Sequence, residues 1–130
     1  ERVRLADGEP ISLEQAQLPA DRFPGLLDRP LGGSLYELLE TEYGISPGKA
    51  EERIEVVGAT SRETRVLGVP RSAPLVSVVR TAVDRQGLPF EYSHDLFRGD
   101  RVRIVVRTHG AAAAHASVAS VVEVVDRHGL

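Results

Sequence analysis

Arg2 and Arg4 stand two apart in ERVRLA, a stretch that alternates charged and apolar residues. Residues two apart on a strand share a face, with Cα atoms roughly 6.5–7 Å apart. Two guanidiniums converging there can clamp a phosphate or a carboxylate through bidentate hydrogen bonds. The alternative is a pair of solvated arginines on a sheet surface, where exposed charges are commonly idle. Ser34 follows Gly32 and Gly33 and opens the run SLYELLETEY. A helix starting at that point exposes backbone N–H groups and the positive end of its dipole, a natural anion site. Plain N-capping by the serine oxygen would compete for the same donors. Tyr36, in the first turn, either adds a hydroxyl donor or packs its ring against the preceding loop. Glu14 and Glu91 can accept hydrogen bonds from hydroxyls or an amine of a ligand. Alternatively they form cross-strand ion pairs with arginine. As a catalytic acid–base pair they lack support, because no neighbour in the sequence would split their pKa values.

Other chemistry is poorly supplied. His94, His109, His115 and His128 show no metal-ligand spacing. With no cysteine, disulfides, thiolate metal sites and cysteine nucleophiles are excluded. No nucleophile elbow, P-loop or dinucleotide fingerprint occurs. Arg98-Gly99-Asp100 resembles an adhesion tripeptide but reads better as a turn between strands.

The elements that must position these residues can be read in order. Residues 1–6 form a strand, Asp7-Gly8 is a hairpin turn signal, and residues 11–18 return. The stretch 19–30 is broken by Pro19, Pro24 and Pro30, which predicts a loop with room for one helical turn. Ser34 and Glu37 have capping-box spacing, and Gly44 ends the helix. Ser46-Pro47-Gly48 reads as a turn before a strand over 52–59. Thr60 and Glu63 cap a second helix that Gly68 and Pro70 stop. Residues 75–84 and 90–97 form a hairpin around Arg85-Gln86-Gly87. In regular alternation, Phe90, Tyr92, His94 and Leu96 would make its core face, with Glu91, Ser93, Asp95 and Phe97 opposite. A third strand covers 102–108. The alanine- and valine-rich residues 111–127 are read as a final helix or tail, with valine weakening the helix. Short turns make consecutive strands antiparallel. Helices covering one side of the sheet then give an α+β domain. Gly8-Glu9-Pro10 and Gly87-Leu88-Pro89 also hint at a repeated hairpin, with Glu14 and Glu91 following the two prolines.

Overall totals bound the function. A chain of 130 residues suits one domain with one core. Lys+Arg 16 against Asp+Glu 19 leaves a net charge of −3, a poor balance for gripping a phosphate backbone directly. No apolar run is long enough for a membrane helix, and no signal peptide is visible. The sequence holds no methionine, so it is expected to be part of a longer protein.

Four segments together resemble the effector-binding (UTRA) domain of the HutC subfamily of GntR-type bacterial transcription regulators. They are ERVRLADGEPISLE at 1–14, GSLYELLETEYG at 33–44, LGVPRSAPL at 67–75 and VVRTAVDRQGLPFEYSHDLFRGDR at 78–101. The resemblance implies a chorismate-lyase-like α+β fold, an antiparallel sheet with helices packed on it. It implies a homodimer in the cytoplasm with no membrane and no cofactor. Its partner would be a small anionic effector such as a sugar phosphate. DNA would be contacted only through a winged-helix domain lying upstream. Residues 1–110 would then be the effector domain without its first strand or strands, and 111–130 a helix or tail. By position, Arg2, Arg4, Ser34 and Tyr36 resemble the phosphate-holding residues of sugar-phosphate-sensing members, and Glu14 and Glu91 the sugar-holding ones. Phe97 stands where the family often has tyrosine and lacks its hydroxyl. A small chorismate-lyase-like enzyme and a ligand-free dimerisation module are the rival functions.

Two expectations follow for geometry. A three-residue loop at Asp7-Gly8 would put Arg2 and Arg4 on one face with Ser12 and Glu14. A two-residue loop would pair Arg4 with Ile11 and send Glu14 to the other face. Strands 75–83 and 102–108 are too apolar for bare edges, so a dimer is expected through strand or sheet contact.

Overall fold

The computed structural model describes residues 1–106 and 120–123. Its strands are β1 (Arg2–Ala6), β2 (Glu9–Gln17), β3 (Pro47–Gly58), β4 (Pro74–Asp84), β5 (Pro89–Arg98), β6 (Arg103–Val106) and β7 (Ser120–Glu123). Its helices are α1 (Leu35–Tyr43) and α2 (Ser61–Leu67), with a single 3-10 turn at Leu26–Asp28 in the proline-broken loop. The first five strands form one sheet in the order β1-β2-β5-β4-β3, antiparallel at every pairing. With helices packed on it, this is the expected α+β architecture.

Each helix has clear termini. Ser34 accepts a hydrogen bond from the Glu37 N–H at 3.3 Å. Thr60 and Glu63 make a complete capping box, in which the Thr60 N–H donates to Glu63 Oε2 at 2.8 Å. The helices do not share one side of the sheet. On the α1 side Phe23, Leu26 and Leu39 pack with Ala82 and Phe90 of the sheet. Under α2, Leu67 and Val69 pack with Leu13 and Leu75. Leu13 alternates with Ser12 and Glu14, so the second cluster lies on the opposite face.

Both hairpins contain a β-bulge. At the first, Asp7 (φ 51°) and Gly8 (φ 79°) form a two-residue turn with positive φ at both positions, not the three-residue loop. Ala6 pairs with Glu9 and Leu5 with Pro10, but Arg4 pairs with Ser12 and Arg2 with Glu14. Ile11 is the extra residue. At the second, Val83 pairs with Pro89 and Ala82 with Glu91, leaving Phe90 as the extra residue. That bulge overturns the regular alternation expected for β5: Phe90 is fully buried on the α1 side, whereas Tyr92 is 46% exposed.

Three other expectations change. Pro47 and Gly48 belong to β3 rather than to a turn before it. Proline is tolerated as the first residue of an edge strand. Gly48 fits because a Cβ there would lie 2.4 Å from the Asp84 carbonyl oxygen. The apolar strand 75–83 is not an edge, because β4 runs between β3 and β5. Finally, the helix expected over 111–127 lies mostly outside the described residues. Of that stretch, Ser120–Glu123 form β7, paired antiparallel with β6. Val121 and Val122 suit a strand better than a helix.

A candidate effector cavity

The α1-facing side of the sheet, the N-terminus of α1 and the loop before it enclose a cavity of about 570 Å³. Arg2, Arg4, Glu14, Ser34, Tyr36, Glu91 and Phe97 all line it. Elements far apart in sequence therefore bring every candidate site residue to one cleft. Arg2 and Arg4 come from β1, Glu14 from β2, Glu91 and Phe97 from β5. Leu26, Leu31 and Leu35 supply apolar wall.

The arginines are held by short internal contacts. Arg2 Nη2 donates to Glu14 Oε2 at 2.8 Å, and Arg4 Nε donates to the same oxygen at 3.2 Å. Arg2 Nη1 also reaches the carbonyl oxygens of Leu31 at 3.0 Å and Gly33 at 2.8 Å. Arg4 Nη2 adds a bond to Gly33 O at 3.2 Å. Thus the cross-strand ion pair foreseen as the alternative role of Glu14 is formed, and it is formed inside the cavity. The two guanidiniums also tie residues 31–33, and with them the start of α1, to the sheet. An incoming anion would have to compete with Glu14 and with these carbonyls.

Deeper in the cleft, the Tyr36 hydroxyl donates to Glu91 Oε2. Burial, reinforced by the hydrogen bond and charge of Glu91, raises the tyrosine pKa well above its usual value, so Tyr36 stays a protonated donor. Its ring meets Phe90 edge-on at 5.8 Å. Glu91 is buried, with 6% of its surface exposed.

Sequence reasoning missed Arg80. Its Nη1 donates to Glu52 Oε1 at 2.5 Å and its Nε to Tyr36 Oη at 2.9 Å. The guanidinium also lies 5.2 Å from the Tyr36 ring centroid and 3.7 Å from Glu91 Oε2. The hairpin repeat carried the signal. Arg2 sits opposite Glu14, three residues beyond bulged Ile11, and Arg80 sits opposite Ser93, three residues beyond bulged Phe90. Arg80 is therefore the counterpart of Arg2. Glu91 corresponds to Ser12 rather than to Glu14.

Asp95, expected on the polar face of the second hairpin strand with Glu91 and Phe97, was not among the candidate site residues. It lines the cavity directly across from Glu14 in the β2–β5 ladder. Burial, followed by the charges of Glu14 and Glu91, pushes its carboxyl up to about 7, against the opposing pull of the Gln15 N–H and Arg2. Among the described residues, no group of His, Cys, Asp or Glu is arranged to hold a metal ion. No helix among them is long and apolar enough to cross a membrane.

Comparison with known proteins identifies the family and the fold. The UTRA domain family model matches residues 1–103. The HTH-type transcriptional repressor NagR of Bacillus subtilis (strain 168) is 31% identical over 104 residues, covering 80% of this chain and 43% of the repressor. The crystal structure of PhnF from Mycobacterium smegmatis aligns with a TM-score of 0.76 at 30% identity, covering 80% of this chain and 46% of that one. A crystal structure of the effector domain of PhnF aligns with a TM-score of 0.69 at 31% identity, over 73% of this chain and 59% of that one. The chain spans about half the length of the curated relatives it matches, 43% of one and 47% of another.

Proposed function

Because the chain belongs to the UTRA domain family, the effector-binding unit of GntR-family repressors, we propose that its cavity senses a small anion and that occupancy controls DNA binding. A phosphorylated sugar is the ligand class that suits the cavity best. The observation that carries this reading is the convergence of Arg2, Arg4 and the Ser34 end of α1 on one cleft of about 570 Å³. A phosphate entering there can exchange the carbonyl and carboxylate partners of the two guanidiniums for its own oxygens. It would gain charge-assisted hydrogen bonds, with further donors at the helix terminus. Tyr36, Glu91 and Glu14 offer hydroxyl and carboxylate groups suited to the rest of a polar, sugar-sized molecule. Phe97 closes the floor without a hydroxyl, which selects against a ligand that needs a donor at that point.

The response would reach DNA through a separate winged-helix domain, since this chain carries a net charge of −3. We take the working unit to be a homodimer in the cytoplasm. Both outer strands of the sheet, β1 and β3, have an open edge among the described residues. On β3 the apolar Val56 is 74% exposed. An effector that favours one dimer arrangement over another shifts the population between them and so changes operator affinity.

The test is a calorimetric titration of the wild type and Arg4→Ala with a panel of sugar phosphates, followed by small carboxylic acids. Losing one guanidinium from a desolvated anion site should cost roughly 2–5 kcal/mol, about 30-fold or more in affinity. Equal affinities for the two proteins would refute an anion site at Arg4.

A further inference from the structure

Among the described residues, Asp95 is the carboxyl of the inner cleft that forms no ion pair. Arg2 and Arg4 both point at Glu14. Arg80 is directed to Glu52 and Tyr36 and faces Glu91 at 3.7 Å. No side chain of a described residue hydrogen-bonds or ion-pairs with Asp95. The Gln15 N–H donates to it and Arg2 acts on it through space, and the groups nearest it in the sheet are carboxylate, hydroxyl and apolar. Glu14 faces it from β2 and Val78 from β4, while Glu91, Ser93 and Phe97 share its face of β5. Such a carboxyl has a backbone donor but no ion pair, and a positive charge brought by a ligand would complete its site.

Resting on the reading of the cavity as an anion sensor, we infer that the effector also carries a basic nitrogen, and that Asp95 is the residue that selects for it. The ligand class is then zwitterionic, with an anionic end at Arg2, Arg4 and the start of α1 and an ammonium group at Asp95. The separation fits a small molecule. β1 and β5 are two strand spacings apart, about 9–10 Å, with the arginine side chains reaching into the gap. Phe97 lies two residues further along the same face as Asp95, and an aromatic surface favours a desolvated cation. A metal ion is the poorer occupant, because no metal-holding group of side chains exists among the described residues.

Protonation behaves in the same sense. With its carboxyl pushed up to about 7 by burial and by Glu14 and Glu91, Asp95 is partly protonated near neutral pH. An ammonium beside it would restore the carboxylate and expel the proton. The groups facing this event are Glu14 on β2, Glu91 on β5, Arg2 on β1, Arg80 on β4, Glu52 on β3 and Tyr36 on α1. Tyr36, its pKa raised by burial, stays protonated, so the proton released is the one on Asp95.

The experiment uses the 130-residue chain and paired probes. ω-Aminoalkyl phosphates with about two to six methylenes, chosen to bridge the 9–10 Å between β1 and β5, are compared with alkyl phosphates of the same length. Affinities are read by NMR titration for the wild type, Asp95→Asn and Asp95→Ser. A hydrogen bond to a charged group contributes roughly tenfold to a hundredfold in affinity. The best-fitting amine should therefore bind the wild type about tenfold or more tighter than its alkyl match. That ratio should fall to about one in both variants. Calorimetry of the wild type in two buffers of different ionisation enthalpy should show proton release with the amine series and none with the alkyl series. If both series bind the wild type with a ratio near one, or the ratio survives in the variants, the inference is overturned and the anion site stands. If neither series binds, the anion reading falls and takes this inference with it.

Discussion

Arg2 and Glu14 face each other across β1 and β2, with Nη2 and Oε2 2.8 Å apart, because Ile11 is an extra residue in the strand between the turn and Glu14. The turn at Asp7-Gly8 has two residues, so an uninterrupted ladder would pair Arg4 with Ile11 and Arg2 with Leu13. Both arginines would then face α2 instead of the cavity. The bulge at Ile11 moves the pairing by one and returns them to the side of Glu14.

Ile11 is held in its bulge by burial, with 6% of its surface exposed. Ile11→Ala should destabilise the chain by roughly 2–4 kcal/mol through lost burial and a residual cavity. Urea denaturation checks this. The same variant should show shifted NMR signals for Arg2 and Glu14, which a simple core truncation far from β1 would leave in place.

Arg2 ties the loop to the sheet through the carbonyls of Leu31 and Gly33, at 3.0 and 2.8 Å. Arg2→Ala should release that loop while the sheet stays folded. Backbone NMR relaxation at Leu31, Gly32, Gly33 and Ser34 should show increased mobility, because a segment moves more freely once the hydrogen bonds that pin its carbonyls are removed. Amide hydrogen exchange in β4 and β5 should remain slow, as expected of an intact ladder.

Arg80 bonds to Glu52 and Tyr36 with two different nitrogens while lying over the tyrosine ring. A lysine cannot reproduce that planar fork. Arg80→Lys should lower stability by about 1–2 kcal/mol, measured by denaturant unfolding, because two partly buried partners lose charge-assisted bonds. Effector affinity should fall as well, since Tyr36 and Glu91 lose the group that orients them.

Asp95 gives stability a pH dependence with a definite sign. Its folded pKa is raised to about 7, above the ordinary aspartate value of about 3.8. Between these values the folded chain holds a proton that the unfolded chain has released. The Asp95 contribution therefore makes stability fall as pH rises from about 4 to about 7, and it levels off above. Asp95→Asn should remove that loss. The side chain is partly exposed and water screens it, so the gain at pH 8 is about 1–2 kcal/mol rather than the full value of the shift. Thermal melts should show a few degrees of stabilisation at pH 8 and little at pH 4.

Much of this molecule was legible in residue order, for local reasons. Asp7-Gly8 announces a turn because few other residue pairs tolerate positive φ twice. Ser34 and Thr60 announce helix starts because a short hydroxyl can satisfy a free N–H. Arg2 and Arg4 announce a shared face because strand side chains alternate. The resemblance of the motifs at 33–44 and 78–101 pointed to the family that the match over residues 1–103 establishes.

Long-range register decided the rest. Pairing rules read from a sequence assume an unbroken ladder, and both bulges break it. They sent Phe90 into the core beside Glu91 and brought Arg2 and Arg4 to Glu14. No local pattern marks Ile11 or Phe90 as the extra residue, because each is extra only relative to a partner strand. Arg80 and Asp95 stayed hidden for the same reason. One lies in an apolar strand and the other beside a histidine, and neither resembles a site residue alone. Their roles depend on Tyr36, 44 residues before Arg80, and on Glu14, whose strand pairs with β5 across the whole intervening chain. Charge in a cleft is set by which groups lie within a few ångströms, a distance that only the folded chain defines.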